Sequence, residues 1–151
     1  MVVPVKITVI TVSYNSAATI AHTVRSVASQ SHTDVEHLVI DGRSTDSTVQ
    51  VVEAHRHPNL VLSSEPDEGI YDAMNKGIGH ATGDSVCFLN ADDMYADKGV
   101  LARVASEMQD HLQSLSERSR SSTKSKLKIV FGLPPNCPSV YRGTSVMKWS
   151  G

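Results

Sequence analysis

The 151-residue sequence is poor in aromatics, at 5%, and has only two cysteines, Cys87 and Cys137. With so few rings, any core must be built from Val, Ile, Leu and Ala. The cysteines form neither a CxxC pair nor a disulfide framework, which excludes a stapled mini-scaffold. The longest apolar runs are a handful of residues, far short of the ~20 that span a bilayer. The N-terminus carries only Lys6 before a strand-like segment, so a signal peptide is not expected. No GxGxxG follows the first strand, and no GxxxxGK[ST] or GxSxG occurs. Those absences disfavour classical dinucleotide sites, P-loops and hydrolase elbows. There are no internal repeats.

What is present is enough for one domain. Hydrophobic residues are 40% and charged residues 20%, a composition that supports a packed core. The net charge of −2 hides an asymmetry. Residues 1–110 hold 7 basic and 15 acidic side chains, net −8, and residues 111–151 hold 7 basic and 1 acidic, net +6. The basic, Ser-rich stretch 114–128 reads as a solvated loop. It lacks the interleaved aromatics of a nucleic-acid binder, so nucleic acid is not an expected partner. His55 and His57 flank Arg56 with no third metal ligand nearby, and read as a solvated helix end.

Up to residue 110 the pattern alternates. Residues 6–12 are β-branched and read as a buried strand. Ser16 is a plausible N-cap for a helix with Ala18, Ala21, Val24, Val27 and Ala28 at helical spacing. Val35 to Ile40 form a second strand. Ser44 or Thr45 then opens a helix carrying Val49 and Val52. Residues 60–62 form a third strand. Ile70, Ala73, Met74, Ile78 and Ala81 share one face of a third helix. A turn at 82–84 leads to a fourth strand, 85–89. Asp97 caps a fourth helix with Leu101, Val104, Ala105, Met108 and Leu112 on one stripe. Residues 129–131 are a further candidate strand, the proline-bearing 133–138 must be irregular, and 139–149 suit an edge strand or hairpin.

This βα alternation implies a parallel sheet covered on both faces. In such sheets ligands sit beyond the carboxyl ends of the strands. After strand one come Tyr14, able to stack on a planar base, and Asn15, able to hydrogen-bond a ribose or base. After strand two comes Asp41, aimed at the crevice, while Asp46 suits the start of the next helix. After strand four come Asn90-Ala91-Asp92-Asp93. Adjacent carboxylates at a sheet edge repel, and a hard divalent ion such as Mg2+ or Mn2+ would relieve that. Other doubly wound proteins that use such acids, phosphatase-like or regulator domains, need an acid after strand one, where this chain has Tyr14-Asn15.

Four segments together resemble family 2 glycosyltransferases. They are ITVITVSYN at 7–15, HLVIDGRSTDST at 37–48, SEPDEGIYDAMNKGIGHATGD at 64–84 and FLNADDMY at 88–95. The third looks like the subgroup acting in exopolysaccharide, capsule or O-antigen assembly. The resemblance implies an α/β fold of the GT-A type, the Rossmann-like architecture of nucleotide-diphospho-sugar transferases. It implies transfer of a sugar from a UDP- or GDP-linked donor to a glycan or lipid-linked acceptor, with inversion and a divalent metal. Thr11, Val12, Tyr14 and Asn15 would line the nucleotide pocket, Asp41 would contact the base, and Asn75 would face the nucleotide. Asp92 would bind donor and metal, with Asp93 beside it as the carboxylate taking part in catalysis. Two departures stand out: Asn90 replaces the first acid of the DxD motif, and Gly42 replaces the usual second acid after Asp41.

The family's general base comes from a later segment with an acidic cluster. After Asp110 the only acid is Glu117. The expectation is therefore a single domain over 1–151, truncated at its C-terminus. It would comprise a donor half at 5–110, the basic loop at 114–128 and a partial acceptor half at 129–151. The segment 146–151 echoes a later family strand. The competing expectation is a non-catalytic module that only binds nucleotide-sugar. The expected location is the cytoplasm, including the inner face of the membrane, with peripheral membrane association and homo-oligomers both open.

Overall fold

The computed structural model describes residues 4–118 and 129–132, with side chains described for 4–110. The order is β1 (Ile7–Ser13), α1 (Ile20–Ala28), β2 (Val35–Asp41), α2 (Thr48–Ala54), β3 (Leu60–Ser64), α3 (Ile70–His80), β4 (Ser85–Phe88), α4 (Val100–Arg118) and β5 (Ile129–Gly132). The strands make one sheet in the order β3-β2-β1-β4-β5, and every pairing is parallel. β1 sits at the centre, buried along its whole length, which explains its unbroken β-branched run. The chain builds outward from β1 to β3, then returns to place β4 on β1's other side. The crevice at that reversal, beyond the ends of β1 and β4, is the expected ligand position of such a sheet.

Alternate residues of each strand face opposite helical layers. Ile7 and Val9 of β1 pack with Cys87 and with Leu101, Ala105 and Met108 of α4. Val39 packs with Ile20 and Val24 of α1 and Val52 of α2. On the other face Ile10 and Val12 meet Leu38, Val86 and Ala73 of α3. α3 lies very close to β1: a Cβ added at Gly77 would sit 2.6 Å from Ile10 Cγ2. Gly83 is equally tight: a Cβ added there would sit 2.6 Å from Thr8 Oγ1 and 2.7 Å from the Thr8 backbone nitrogen. Its own N–H donates to Thr8 Oγ1, fixing the turn that starts β4.

Several boundaries differ from the sequence reading. Ser16 does not cap α1. Its carbonyl accepts from Thr19 and Ile20, and its hydroxyl donates to Tyr14 O, so the helix starts four residues later. Ile20 and Thr23 take the buried places given to Ala18 and Ala28, which are exposed. α2 starts at Thr48 rather than at 44 or 45, because residues 44–46 are used to tie the β2 loop to the β1 loop. α4 runs on to Arg118, into the segment expected as loop. β5 forms where residues 129–131 are expected to be a strand, parallel to β4. The calls for 119–128 and 133–151, and for the Leu112 side chain, lie outside the described residues. The histidine pair is not simply solvated. His57 stacks on the fully buried His37, with ring centroids 5.6 Å apart, while His55 meets Arg25 at 2.6 Å.

No helix among the described residues is long and apolar enough to cross a membrane.

Candidate donor groove at the carboxyl end of the sheet

β1 ends in Val12-Ser13-Tyr14-Asn15, and the chain turns sharply at Asn15 with φ at 48°. The side chain of Asn15 explains why a non-glycine is held there. Its Oδ1 accepts from Thr45 N at 2.9 Å and Asp46 N at 3.3 Å. Its own N–H donates to Ser44 Oγ at 2.8 Å. Asp46 closes the weld from the other side, accepting from Ala17 N and from the Thr48 hydroxyl. The Thr48 hydroxyl and the backbone N–H groups aimed at Asp46 hold its carboxyl below the usual range.

Asp41 closes β2 and is fully buried. Its carboxylate accepts from the Ser13 hydroxyl at 3.0 Å, the Ser44 N–H at 2.9 Å, the Ser44 hydroxyl at 2.5 Å and the Ser64 hydroxyl at 2.7 Å. Both oxygens are thus committed to joining the ends of β1, β2 and β3. A buried carboxylate satisfied in this way organises the loops rather than presenting a free acceptor.

The turn after β4 is presented differently. Thr23 of α1, buried, places its hydroxyl 3.0 Å from Ala91 O and 2.7 Å from Asp93 O, and Asp93 N donates to Asn90 O. The backbone is pinned while Asn90, Asp92 and Asp93 remain exposed.

Two adjoining clefts open above these ends. The first, of about 470 Å³, is lined by Asn15, Thr19, Asn90 and Asp92 among others. The second, of about 510 Å³, is lined by Ser13, Tyr14, Gly42, Pro66 and Asp67 among others. Val12 and Ile70 line both, so the clefts form one groove across the end of β1. Each is in the range of a small-molecule site.

Of the residues expected from sequence, Val12, Tyr14, Asn15 and Asp92 line this groove. Thr11, Asp41, Asn75 and Asp93 line neither cleft. Thr11 is fully buried, with its hydroxyl 2.9 Å from His37 Nε2. Burial holds that imidazole neutral, its pKa lowered to about 3, with the neighbouring His57 adding to the effect. Asn75 is exposed along α3. Cys87 lies in the core, where burial pushes its thiol up to about 12 and leaves it inert.

The sequence reading missed Asp67 and misplaced Ile70. Asp67 lies in the Glu65–Gly69 segment after β3, away from the ends of β1, β2 and β4 where the candidate residues were expected. That segment is strapped to α3. Lys76 Nζ donates to Pro66 O at 2.8 Å and pairs with Asp72 at 3.2 Å and Glu65 at 3.6 Å. Asp67 Oδ1 accepts from Gly69 N at 3.0 Å. Its Oδ2 has no hydrogen-bond partner among the described residues and lies where a Cβ at Gly42 would be 2.6 Å away. The Asp-x-Gly turn signature was the available signal. Gly42, seen in sequence as a missing acid, leaves the space that the carboxylate of Asp67 fills from the segment after β3.

Among the described residues no group of three or more His, Cys, Asp or Glu side chains could hold a metal ion alone. Asp92 is exposed in the first cleft, with no ion pair or hydrogen bond to its carboxylate among the described residues. That suits a hard divalent ion, which takes one or two carboxylates and completes its shell with substrate phosphates and water.

The glycosyl transferase family 2 profile matches residues 8–128. The chain belongs to glycosyltransferase family 2. Its parallel sheet and helices have the GT-A fold of its structural neighbours. Among similar proteins are an uncharacterised glycosyltransferase of Mycobacterium tuberculosis, 41% identical over 64% of this chain, and a PGL/p-HBAD biosynthesis glycosyltransferase of Mycobacterium bovis, 39% identical over 64%. The chain spans 37% and 39% of their lengths. Among solved structures, S. aureus TarS is 32% identical with a TM-score of 0.66, covering 71% of this chain and 33% of its own. The Pyrobaculum calidifontis mannosyltransferase PcManGT, solved with GDP-Man and Mn2+, is 32% identical with a TM-score of 0.62. It covers 66% of this chain and 31% of its own. TarS has also been solved with UDP.

Proposed function

We propose that the groove holds a nucleotide-diphospho-sugar and that the chain provides the donor side of an inverting glycosyl transfer. The observation that carries this reading is the continuity of the two clefts, with a different chemistry at each end. In the second cleft the 61%-exposed Tyr14 offers a face for a base, and the free Oδ2 of Asp67 accepts from a base N–H or a ribose hydroxyl. In the first cleft Asn90 and Asp92 receive the diphosphate. A divalent ion, Mn2+ or Mg2+, held by Asp92 and the phosphates would supply Lewis-acid neutralisation of the leaving group. Asn15, locked by Thr45 and Asp46, fixes the wall between the β1 loop and that cleft. Thr23 holds the Asp92 turn still, which keeps the carboxylate in place before the donor arrives.

The acceptor hydroxyl of a glycan or lipid-linked sugar attacks the anomeric carbon opposite the leaving diphosphate, and its proton passes to a general base. That base is expected from a later segment, as in the family, and Asp93, exposed in the same turn as Asp92, is the catalytic carboxylate we assign beside the metal site. Asp41 and Thr11 serve by shaping the loops from below. We place the reaction in the cytoplasm, where nucleotide-sugars are available, with the inner membrane face as the site of a lipid-linked acceptor.

The test is release of UDP or GDP from a panel of sugar nucleotides with Mn2+, with and without glycan acceptors. Metal-dependent release that rises with an acceptor is expected. Tight nucleotide binding with no release under any acceptor would instead leave a donor-binding module.

A further inference from the structure

Ile70 is the one large aliphatic side chain of α3 that the core does not take. The helical period places it on the stripe of Ala73 and Gly77, both buried. Yet Ile70 is 49% exposed. It lines both clefts, a property it shares only with Val12 among their lining residues. Val12 is buried at 8% exposure and forms the floor. Ile70 is therefore the projecting member at the junction.

Its position is held firmly. Gly69, immediately before it, has φ at 116°, a conformation that L side chains rarely adopt. The preceding strap is fixed by Asp67 Oδ1 on Gly69 N, by Asp72 Oδ2 on Glu68 N at 3.1 Å, and by Lys76 on Pro66 O. A half-exposed isoleucine on so constrained a turn contributes little to the core and much to the shape of the groove.

We propose that Ile70 is the wedge of the donor groove: it borders the passage between the nucleoside cleft and the diphosphate cleft and sets how one molecule spans both. This rests on the donor reading above. A nucleoside occupies the Tyr14 and Asp67 end without crossing the junction. A nucleoside diphosphate must pass between Ile70 and Val12 to reach Asp92. The bulk of residue 70 thus limits how a diphosphate reaches Asp92, independently of base recognition.

The experiment measures binding of UDP, GDP, uridine and guanosine, with Mn2+, to the wild-type chain and to Ile70→Trp and Ile70→Ala. Thermal melts check folding, which the exposure of residue 70 should preserve. For the base that the wild type accepts, Ile70→Trp should weaken the diphosphate about tenfold or more and leave the nucleoside within about threefold. Ile70→Ala, which widens the passage, should not weaken the diphosphate relative to the nucleoside, and a selective loss of the diphosphate in this variant would overturn the wedge. Equal losses of nucleoside and diphosphate in the Trp variant, or no loss of either, would overturn the wedge while leaving the donor reading intact. A wild type that binds neither diphosphate overturns the donor reading, and the wedge with it.

Discussion

Replacing Gly42 by alanine separates the role of Asp67 in binding from any role in stability. An alanine Cβ at position 42 would lie 2.6 Å from Asp67 Oδ2, 3.1 Å from its Cγ and 3.3 Å from its Oδ1. Ordinary contact begins near 3.4 Å, so the carboxylate must retreat. Gly42 is not among the positive-φ glycines, so alanine meets no backbone strain there. The carboxylate is the end of a rotatable side chain, and moving it disturbs one hydrogen bond, from Gly69 N. That bond is solvent-exposed, so water replaces much of it and its loss costs about 0.5–1.5 kcal/mol, below the usual value for a charged acceptor. The reduced freedom of the unfolded chain offsets about 0.4–1 kcal/mol of it. Stability should therefore change by less than about 1 kcal/mol. Binding should change more. A hydrogen bond to a charged group contributes about 1.5–3 kcal/mol, so displacing Asp67 should weaken UDP or GDP about ten- to a hundredfold. Calorimetric titration of the wild type, Gly42→Ala and Asp67→Asn, beside their melting curves, reads both quantities. Unchanged nucleotide affinity in Gly42→Ala, with a normal melt, refutes the assignment of Asp67 to the base.

Other consequences follow from the same geometry. Gly77→Ala puts its Cβ 2.6 Å from the fully buried Ile10, which cannot swing aside. Overpacking of about 1–3 kcal/mol should exceed the helix-propensity gain of about 1 kcal/mol, lowering Tm by a few degrees; a rise in Tm would show that α3 sits further from β1. The buried His37, with its pKa held to about 3, makes stability depend on pH. The unfolded chain takes up the proton first, so stability is greatest above about pH 6.5 and falls as pH drops through the window towards 3, approaching about 1.4 kcal/mol per unit. His57 is lowered by burial as well and acts in the same direction. Melting temperatures that are flat between pH 7 and 5, or a His37 ring charged at pH 5 by NMR, would contradict this.

The order of strands and helices was legible because hydrophobic period and β-branching are local signals, and β1 and β2 are buried along nearly their whole length. The ends of strands were legible as the place to look. Which atoms at those ends are free was not. Asp41 and Asp67 are both carboxylates after a strand, yet Ser13, Ser44 and Ser64, from three separate segments, saturate the first and leave Oδ2 of the second open. No spacing rule encodes that. Ile70 fits the core stripe of α3 by period, but the strap turn before it lifts the first residue of the helix away from the sheet. Thr11 pointed correctly to the right strand, while the alternation of side chains sends it to His37. The resemblance located the motifs; the hydrogen bonds sort their members into frame and surface.

The central claim is that one groove holds a nucleoside diphosphate through a metal on Asp92. It is tested most directly by titrating UDP and GDP into the wild type and Asp92→Ala, each with and without Mn2+. The account predicts that Mn2+ tightens one of the two nucleotides in the wild type, that Asp92→Ala abolishes this metal dependence, and that uridine or guanosine binding survives the change. Metal-dependent binding that persists in Asp92→Ala, or no nucleotide binding by the wild type, would contradict it.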